Sequence, residues 1–192
     1  VCGALERALR RAGSDAHPFP PIIASGPRSA LPHARASDRA IAPGEFLLLD
    51  FGASAGGYCS DVTRTVVVGR ADERQRATYE AVQEANAVAR EGVRAGMRGR
   101  EADALARGVL EARGLGERFG HGLGHGIGLQ VHEAPRLSRL AEEVLPLGSV
   151  VTIEPGVYVP EWGGVRIEDD VHLSADGAEL LTHFTRELLE LT

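Results

Sequence analysis

Residues 120–133 read Gly-His-Gly-Leu-Gly-His-Gly-Ile-Gly-Leu-Gln-Val-His-Glu, with glycine at every even position from Gly120 to Gly128 and histidines at His121, His125 and His132. Imidazole can ligate a divalent metal or move a proton near neutral pH. If the run is extended, side chains alternate, so His121, Leu123 and His125 are expected on one face and bare backbone on the other. Bare backbone admits the close approach of another chain, a substrate or a metal centre. The spacing is not that of a dinucleotide-binding fingerprint, because no glycine triplet has the G-x-G-x-x-G pattern. It is not a helical zinc-protease motif either, since Ala134-Pro135-Arg136 follow His132-Glu133 and supply no second histidine.

Four carboxylates give the histidines a context. Phe46-Leu47-Leu48-Leu49 is an apolar run ending in Asp50, followed by Gly56-Gly57 and then Asp61. Val150-Val151-Thr152-Ile153 ends in Glu154, followed by Gly163-Gly164 and then Glu168. In both, the second acid lies four residues after the second glycine. This repeat predicts two equivalent hairpins, related by a pseudo-twofold axis that brings the four acids together. Four clustered acids repel and raise one another's pKa values. Two divalent cations cancel a charge of about −4, which points to a dinuclear centre. With His125 added, the ligand set is mostly oxygen with one imidazole, and suits Mn²⁺, or Co²⁺, Fe²⁺ or Zn²⁺, rather than a thiolate-held structural zinc.

The elements that must position these groups are legible from periodicity. Residues 2–12 have an amphipathic helical pattern that stops at Gly13, and Ile22–Ser25 reads as a short strand. Residues 26–44 are rich in proline, serine and alanine, read as loop, and carry His33. The apolar run before Asp50 predicts a buried strand, Gly56-Gly57 a hairpin turn, and Tyr58–Val68 a return strand with Asp61 inside it. A helix is expected over 72–90, opened by an Asp72/Gln75 capping box, with Tyr79, Val82, Ala85, Ala89 and Val93 on its apolar stripe. A second is expected over 100–113, with Leu105, Val109 and Leu110 inward and Gly114 as its stop. The second hairpin follows, turning at Gly163-Gly164 and returning along Val165–Leu173. Alternation places Arg166, Glu168 and Asp170 on one face of that strand and Val165, Ile167 and Val171 on the other. Leu180 and Leu181 suggest an edge strand, and the tail from Thr185 a short helix.

The chain has 192 residues, is 43% hydrophobic and carries a net charge of −6, which suits one globular domain. No basic block offers a surface for nucleic acid or an anionic membrane. No run of about 18 apolar residues is present. Two cysteines, Cys2 and Cys59, make no disulfide framework, and a cytoplasmic location is the simpler expectation. The first residue is Val1, in the middle of a helical pattern, which suggests that earlier residues are absent.

Five ordered segments resemble the pita-bread metallopeptidases (family M24), the fold of methionine aminopeptidases, aminopeptidase P and prolidase. They are Leu-Leu-Leu-Asp-Phe-Gly (47–52), Gly-Tyr-Cys-Ser-Asp-Val-Thr-Arg-Thr (57–65), the histidine run, Thr-Ile-Glu-Pro-Gly-Val-Tyr (152–158) and Val-Arg-Ile-Glu-Asp-Asp (165–170). His121 before Gly122-Leu123-Gly124-His125, the Ser60–Thr65 segment and Arg166–Asp170 resemble the Xaa-Pro-cleaving branch, the Xaa-Pro aminopeptidases and dipeptidases. The resemblance implies an α+β pita-bread (creatinase/aminopeptidase) fold, with two duplicated halves around a curved antiparallel sheet. It also implies a single catalytic domain over 1–192, without the N-terminal domain and first helix usual in that branch. Creatinase shares the fold but lacks the metal ligands, all of which are present here.

The resemblance also implies roles. Asp50 would hold one metal with both oxygens, Asp61 and Glu168 would bridge two ions, and His125 and Glu154 would complete the other. His33, His121 and His132 would line the substrate, the last two near the scissile carbonyl, with Tyr158 and Arg166 around the site. A hydroxide between the ions would attack the bond before proline, and Glu154 would shuttle the proton. The expected substrate is a peptide with proline second, bound without nucleic acid or membrane; a homodimer is compatible with the resemblance. Two competing readings remain, a non-catalytic binding protein of the same fold and a truncated inactive chain.

Overall fold

A computed structural model describes residues 1–192. The first half begins with helix α1 (Cys2–Arg11) and strand β1 (Ile22–Ser25), then a short 3-10 turn over Gly26–Ala30 within the segment expected to be loop. Strand β2 (Phe46–Phe51) follows, then a two-rung hairpin of β3 (Ser54–Ala55) and β4 (Tyr58–Cys59), and then β5 (Val62–Val68). Gly56 and Gly57 form the hairpin turn with φ of 58° and 88°, backbone that favours glycine. The predicted return strand is thus broken. Ser60 and Asp61 lie between β4 and β5, so Asp61 is not inside a strand as the alternation implied.

Helices α2 (Glu73–Gly92) and α3 (Gly99–Ala112) connect the halves. The Asp72/Gln75 capping box is present: Asp72 accepts from Gln75 N at 2.7 Å and Gln75 accepts from Asp72 N at 2.9 Å. The α2 stripe of Tyr79, Val82, Ala85 and Ala89, with Val93 beyond it, joins the main core. On α3, Leu110 is fully buried and Leu105 and Val109 pack at the margin, but Asp103 and Arg107 are also buried.

The second half repeats the first. It contains β6 (Gly124–Gly126), β7 (Glu133–Leu137) and β8 (Val150–Ile153), then the hairpin of β9 (Gly156–Val159) and β10 (Gly163–Arg166), then β11 (Asp169–Ser174) and the edge strand β12 (Gly177–Leu180). The turn lies over residues 160–162, so Gly163 and Gly164 are paired strand residues rather than the turn itself. Gly164 is needed for close packing: a Cβ there would stand 2.4 Å from Ser29 O. The return strand breaks again, at Ile167 and Glu168, matching the break at Asp61.

Of the histidine run, only Gly124–Gly126 and the terminal Glu133 are strand. Leu123 points into the core, while His121 and His125 line the cavity, so the three do not share a face. The bare-backbone expectation holds. A Cβ on Gly124 would lie 2.0 Å from Thr152 O, and one on Gly126 would lie 2.2 Å from Ala134 O. The tail forms no helix. It ends in β13 (Glu190–Leu191), paired parallel to β5, because its backbone bonds to β5 through Val67 N–Leu189 O and Gly69 N–Leu191 O.

Two larger sheets result, β1-β2-β5-β13 and β12-β11-β8-β6-β7, antiparallel except at β13, beside the two-stranded β3-β4 and β9-β10 hairpins. They meet where Glu168 N donates to Thr63 O at 3.1 Å and Arg166 N donates to Thr65 Oγ1 at 3.1 Å. From α2, the fully buried Asn86 donates to Ile153 O and Ile167 O, each at 3.2 Å. Those carbonyls directly precede Glu154 and Glu168. Asn86→Leu fills the space but leaves both acceptors without their donor, so a loss of about 2–4 kcal/mol is expected in urea unfolding. A loss below about 1 kcal/mol would show that the amide does not tie these chains together.

Candidate metal centre

Three of the four acids sit where a strand stops or breaks, and the fourth lies one residue from a strand end. Asp50 is near the end of β2, opposite Thr63. Asp61 and Glu168 occupy the two breaks, and Glu154 follows β8 directly. His125, in β6, faces Arg136 of β7 in the strand register. All five border one cavity of about 1020 Å³, together with His33, His121, His132 and Arg166.

One ligand atom each from Asp61, His125 and Glu168 lies within 4.8 Å of the others. His125 Nε2 is 3.5 Å from Glu154 Oε1 and 4.0 Å from Asp61 Oδ2. His125 Nδ1 lies 3.0 Å from Gly126 O, which assigns the proton to Nδ1 and leaves the Nε2 lone pair facing the acids. Burial lowers the His125 pKa to about 4, so the ring is neutral, as a metal ligand must be.

The acids are unstable as bare anions. Burial, then the charges of Asp50, Glu154 and Asp170, push Asp61 up to about 9. Burial pushes Glu154 up to about 8, against the lowering pull of Arg166 and with Asp50 adding to the rise. Glu168 is raised well above its ordinary value by burial and by Asp61, Glu154 and Asp50. Asp50 is raised by burial and partly offset by Arg166. Asp50 Oδ1 and Asp61 Oδ1 are buried with no hydrogen-bond partner. Clustered acids, unpartnered oxygens and a lone pair aimed among them fit divalent cations.

A second layer of contacts holds this set. Arg166 donates to Asp50 Oδ2 at 2.5 Å, to Tyr158 Oη at 2.8 Å and to Thr63 Oγ1 at 3.1 Å. Thr63 in turn donates to Glu168 Oε2 at 2.5 Å. Tyr158 lies beneath the cavity wall, with its hydroxyl 2.8 Å from His121 Nε2. His121 Nδ1 lies 2.7 Å from Gly122 O, so Nδ1 donates there and Nε2 accepts from Tyr158. Both ring nitrogens of His121 are therefore engaged. The ring of His132 lies 4.3 Å from that of His125, and His33 lines the opposite part of the site at its exposed rim. Asp170 accepts from Asp61 N at 3.1 Å and does not line this cavity, although alternation placed it with Arg166 and Glu168.

The sequence reading passed over Thr63, Thr152 and Arg136. Thr152 accepts from His125 N at 3.1 Å and donates to Glu154 Oε1 at 3.4 Å. Both threonines lie within recognised motifs, two residues from an acid, and that spacing was the available signal. Arg136 lines the cavity and stands four residues after His132.

The model of metallopeptidase family M24 matches residues 1–175. A curated Xaa-Pro dipeptidase of Pyrococcus furiosus is 48% identical over 189 residues, covering 98% of this chain and 54% of that one. The solved Xaa-Pro dipeptidase from Bacillus anthracis superposes with a TM-score of 0.97 at 48% identity, over 99% of this chain and 54% of that one. The solved X-Pro aminopeptidase from Thermotoga maritima gives 0.96 at 41% identity, over 99% and 54%. The chain belongs to metallopeptidase family M24 and has its pita-bread fold. It spans about half the length of the curated relatives it matches. No helix is long and apolar enough to cross a membrane, and both cysteines are free.

The raised acids set a pH signature. Between the ordinary carboxylate value of about 4 and the folded values of about 8 and 9, the metal-free folded chain binds more protons than the unfolded chain. Its stability must therefore fall as pH rises through that window. Chelated protein is expected to lose on the order of 3 kcal/mol between pH 5 and 8.5, a Tm drop of roughly 6–12 °C. Excess Mn²⁺ should restore Tm most at the alkaline end. A flat profile in scanning calorimetry of chelated protein would show that the four acids do not share one field.

Proposed function

We propose that residues 1–192 are a single catalytic domain that hydrolyses the peptide bond before proline, with two divalent ions, Mn²⁺ foremost. The observation that carries this is the convergence of Asp50, Asp61, His125, Glu154 and Glu168 on one cavity, with a neutral imidazole among mutually repelling acids. An oxygen-rich set with one imidazole favours Mn²⁺, with Co²⁺, Zn²⁺ and Fe²⁺ as alternatives. When bound, the ions polarise the scissile carbonyl and make water acidic enough to react near neutral pH.

The chain's own groups supply the rest. Glu154 keeps some exposure to the cavity, where its carboxylate takes the proton of the attacking water and passes it to the leaving proline nitrogen. His132 has an exposed ring beside His125 and donates to the developing oxyanion. His121 accepts from Tyr158 and keeps that hydroxyl turned toward Arg166. His33 closes the rim. Phe19, Ile22 and Val131 give the prolyl ring an apolar wall.

Arg136 favours a dipeptidase over an aminopeptidase. This exposed residue lines the cavity, and its guanidinium suits the α-carboxylate of a two-residue substrate. A longer substrate carries that charge elsewhere.

Chelated protein reloaded with Mn²⁺ is expected to bind two ions and release alanine from Ala-Pro faster than from Ala-Pro-Ala. Glu154→Gln should lower kcat by roughly 10²–10⁴. Arg136→Gln should raise KM for Ala-Pro by roughly 10–100-fold and leave Ala-Pro-Ala little changed. Faster cleavage of the tripeptide assigns an aminopeptidase. Two bound ions with no cleavage of either peptide would leave a metal-binding half without peptidase activity.

A further inference from the structure

Helix α3 carries a buried charge pair that the chemistry above does not use. Arg107 Nε donates to Asp103 Oδ2 at 2.7 Å and Arg107 Nη2 donates to Asp103 Oδ1 at 3.0 Å. Asp103 is 1% exposed and Arg107 6%. A buried ion pair one helical turn long is a poor source of stability, because desolvation offsets its attraction. Its remaining bonds all go to one target. Arg107 Nη1 donates to Phe119 O at 3.0 Å, Arg107 Nη2 to His121 O at 2.9 Å, and Asp103 Oδ1 accepts from Leu123 N at 3.1 Å. The guanidinium also stacks 4.2 Å over the Phe119 ring, whose centroid lies 5.1 Å from that of His121.

Residues 119–123 lie outside any strand or helix, and only Phe119 N, bonded to Gly116 O, and Leu123 O, bonded to Glu154 N, have main-chain partners. Two of them are glycines, which leave the segment little intrinsic stiffness. The ion pair replaces the missing ladder. From this segment the contacts run through His121 Nε2 to Tyr158, through Tyr158 to Arg166, and through Arg166 to Asp50 and Thr63.

We propose that Asp103 and Arg107 are positioning residues that clamp the 119–123 backbone, fixing His121 as the acceptor that orients Tyr158 and Arg166 over the metal-binding acids. Its kinetic consequence rests on the proposed peptidase reading; its structural consequence does not. A lysine at 107 keeps a charge for Asp103 but has no planar fork to reach the two carbonyls at once.

The test uses the full chain loaded with Zn²⁺, which is diamagnetic, and two variants, Arg107→Lys and the apolar double replacement Asp103→Leu with Arg107→Met. Replacing both members of the pair avoids leaving an unpaired buried charge, but it strips Phe119 O, His121 O and Leu123 N of their partners, so the double variant should fold and melt somewhat below the parent. Both variants should bind two Zn²⁺ ions with parental affinity, since His125 is held separately by β6. Long-range ¹H–¹⁵N spectra of ¹⁵N-histidine protein, with His121 assigned by His121→Gln, should show one Nδ1–H tautomer in the parent. The variants should show tautomer averaging. In the Mn²⁺-loaded forms kcat should fall roughly 10–100-fold with KM nearly unchanged.

A folded variant with the parental His121 tautomer and kcat would falsify the proposal and leave the pair a packing feature. If the double variant does not fold, the His121 spectrum of Arg107→Lys decides in the same way. If the parent itself cleaves no Xaa-Pro peptide, the peptidase reading fails, and the tautomer comparison still decides the clamp.

Discussion

Mutual repulsion of four clustered carboxylates, three of them buried, is the constraint on which the rest of this structure depends. Asp50, Asp61, Glu154 and Glu168 are brought into one cavity by the fold, and none could be gathered there by local attraction. Something else must supply the free energy. The core beneath them does: Ile153, Val165, Ile167 and Val171 flank the second-half acids and are all but fully buried. Apolar residues adjacent in sequence to the acids thus force charge into a place it disfavours. Hydrophobic burial is non-directional, so it can oppose electrostatics without disturbing the geometry. Marginal folding stability leaves little room for uncompensated charge, so a cation held among these acids would be coupled to folding.

Duplication turns this constraint into a symmetric solution. Two residues after Asp61, Thr63 donates to Glu168; two residues after Glu168, Asp170 accepts from the Asp61 amide. Each half therefore braces the acid of the other. Asp169 adds a structural lock beside it. That fully buried carboxylate takes Arg64 Nη2 at 2.6 Å and Arg186 Nε at 2.7 Å, while Arg64 also donates to Glu168 O at 2.6 Å. The C-terminal segment is thereby fastened behind the cavity. Adjacent acids have opposite fates, with Glu168 facing other acids and Asp169 facing guanidinium groups.

Much of this was legible in the residues. The repeated order of apolar run, acid, glycine pair and acid located both halves, and the Asp72/Gln75 box located α2. The failures have a common cause. Strand breaks at Asp61 and Glu168 are set by bonds to the opposite half, so period-two alternation ran straight through them. Gly163-Gly164 looks like a turn, but its glycines serve the approach of Ser29 backbone, over a hundred residues away. The tail from Thr185 has helical composition, yet its backbone donors and acceptors are claimed by β5. Asp103 and Arg107 have the spacing of an exposed helical ion pair. Nothing local to α3 says that the loop after it leaves most of its backbone groups without main-chain partners.

That last failure bears on how the histidine run works. A segment with glycine at every second position can approach Thr152 and Ala134 closely, but it cannot hold itself still. The two requirements conflict within the segment. They are reconciled by moving the rigidity elsewhere, into strand pairing for His125 and into a neighbouring helix for the segment around His121. The histidines of one continuous motif are thus held by different means, and their side chains follow suit. His125 keeps a free lone pair toward the acids, while His121 has both nitrogens engaged. Residue type and spacing alone make the two look equivalent; the hydrogen bonds around each ring separate an imidazole with a free nitrogen among acids from one with both nitrogens bonded.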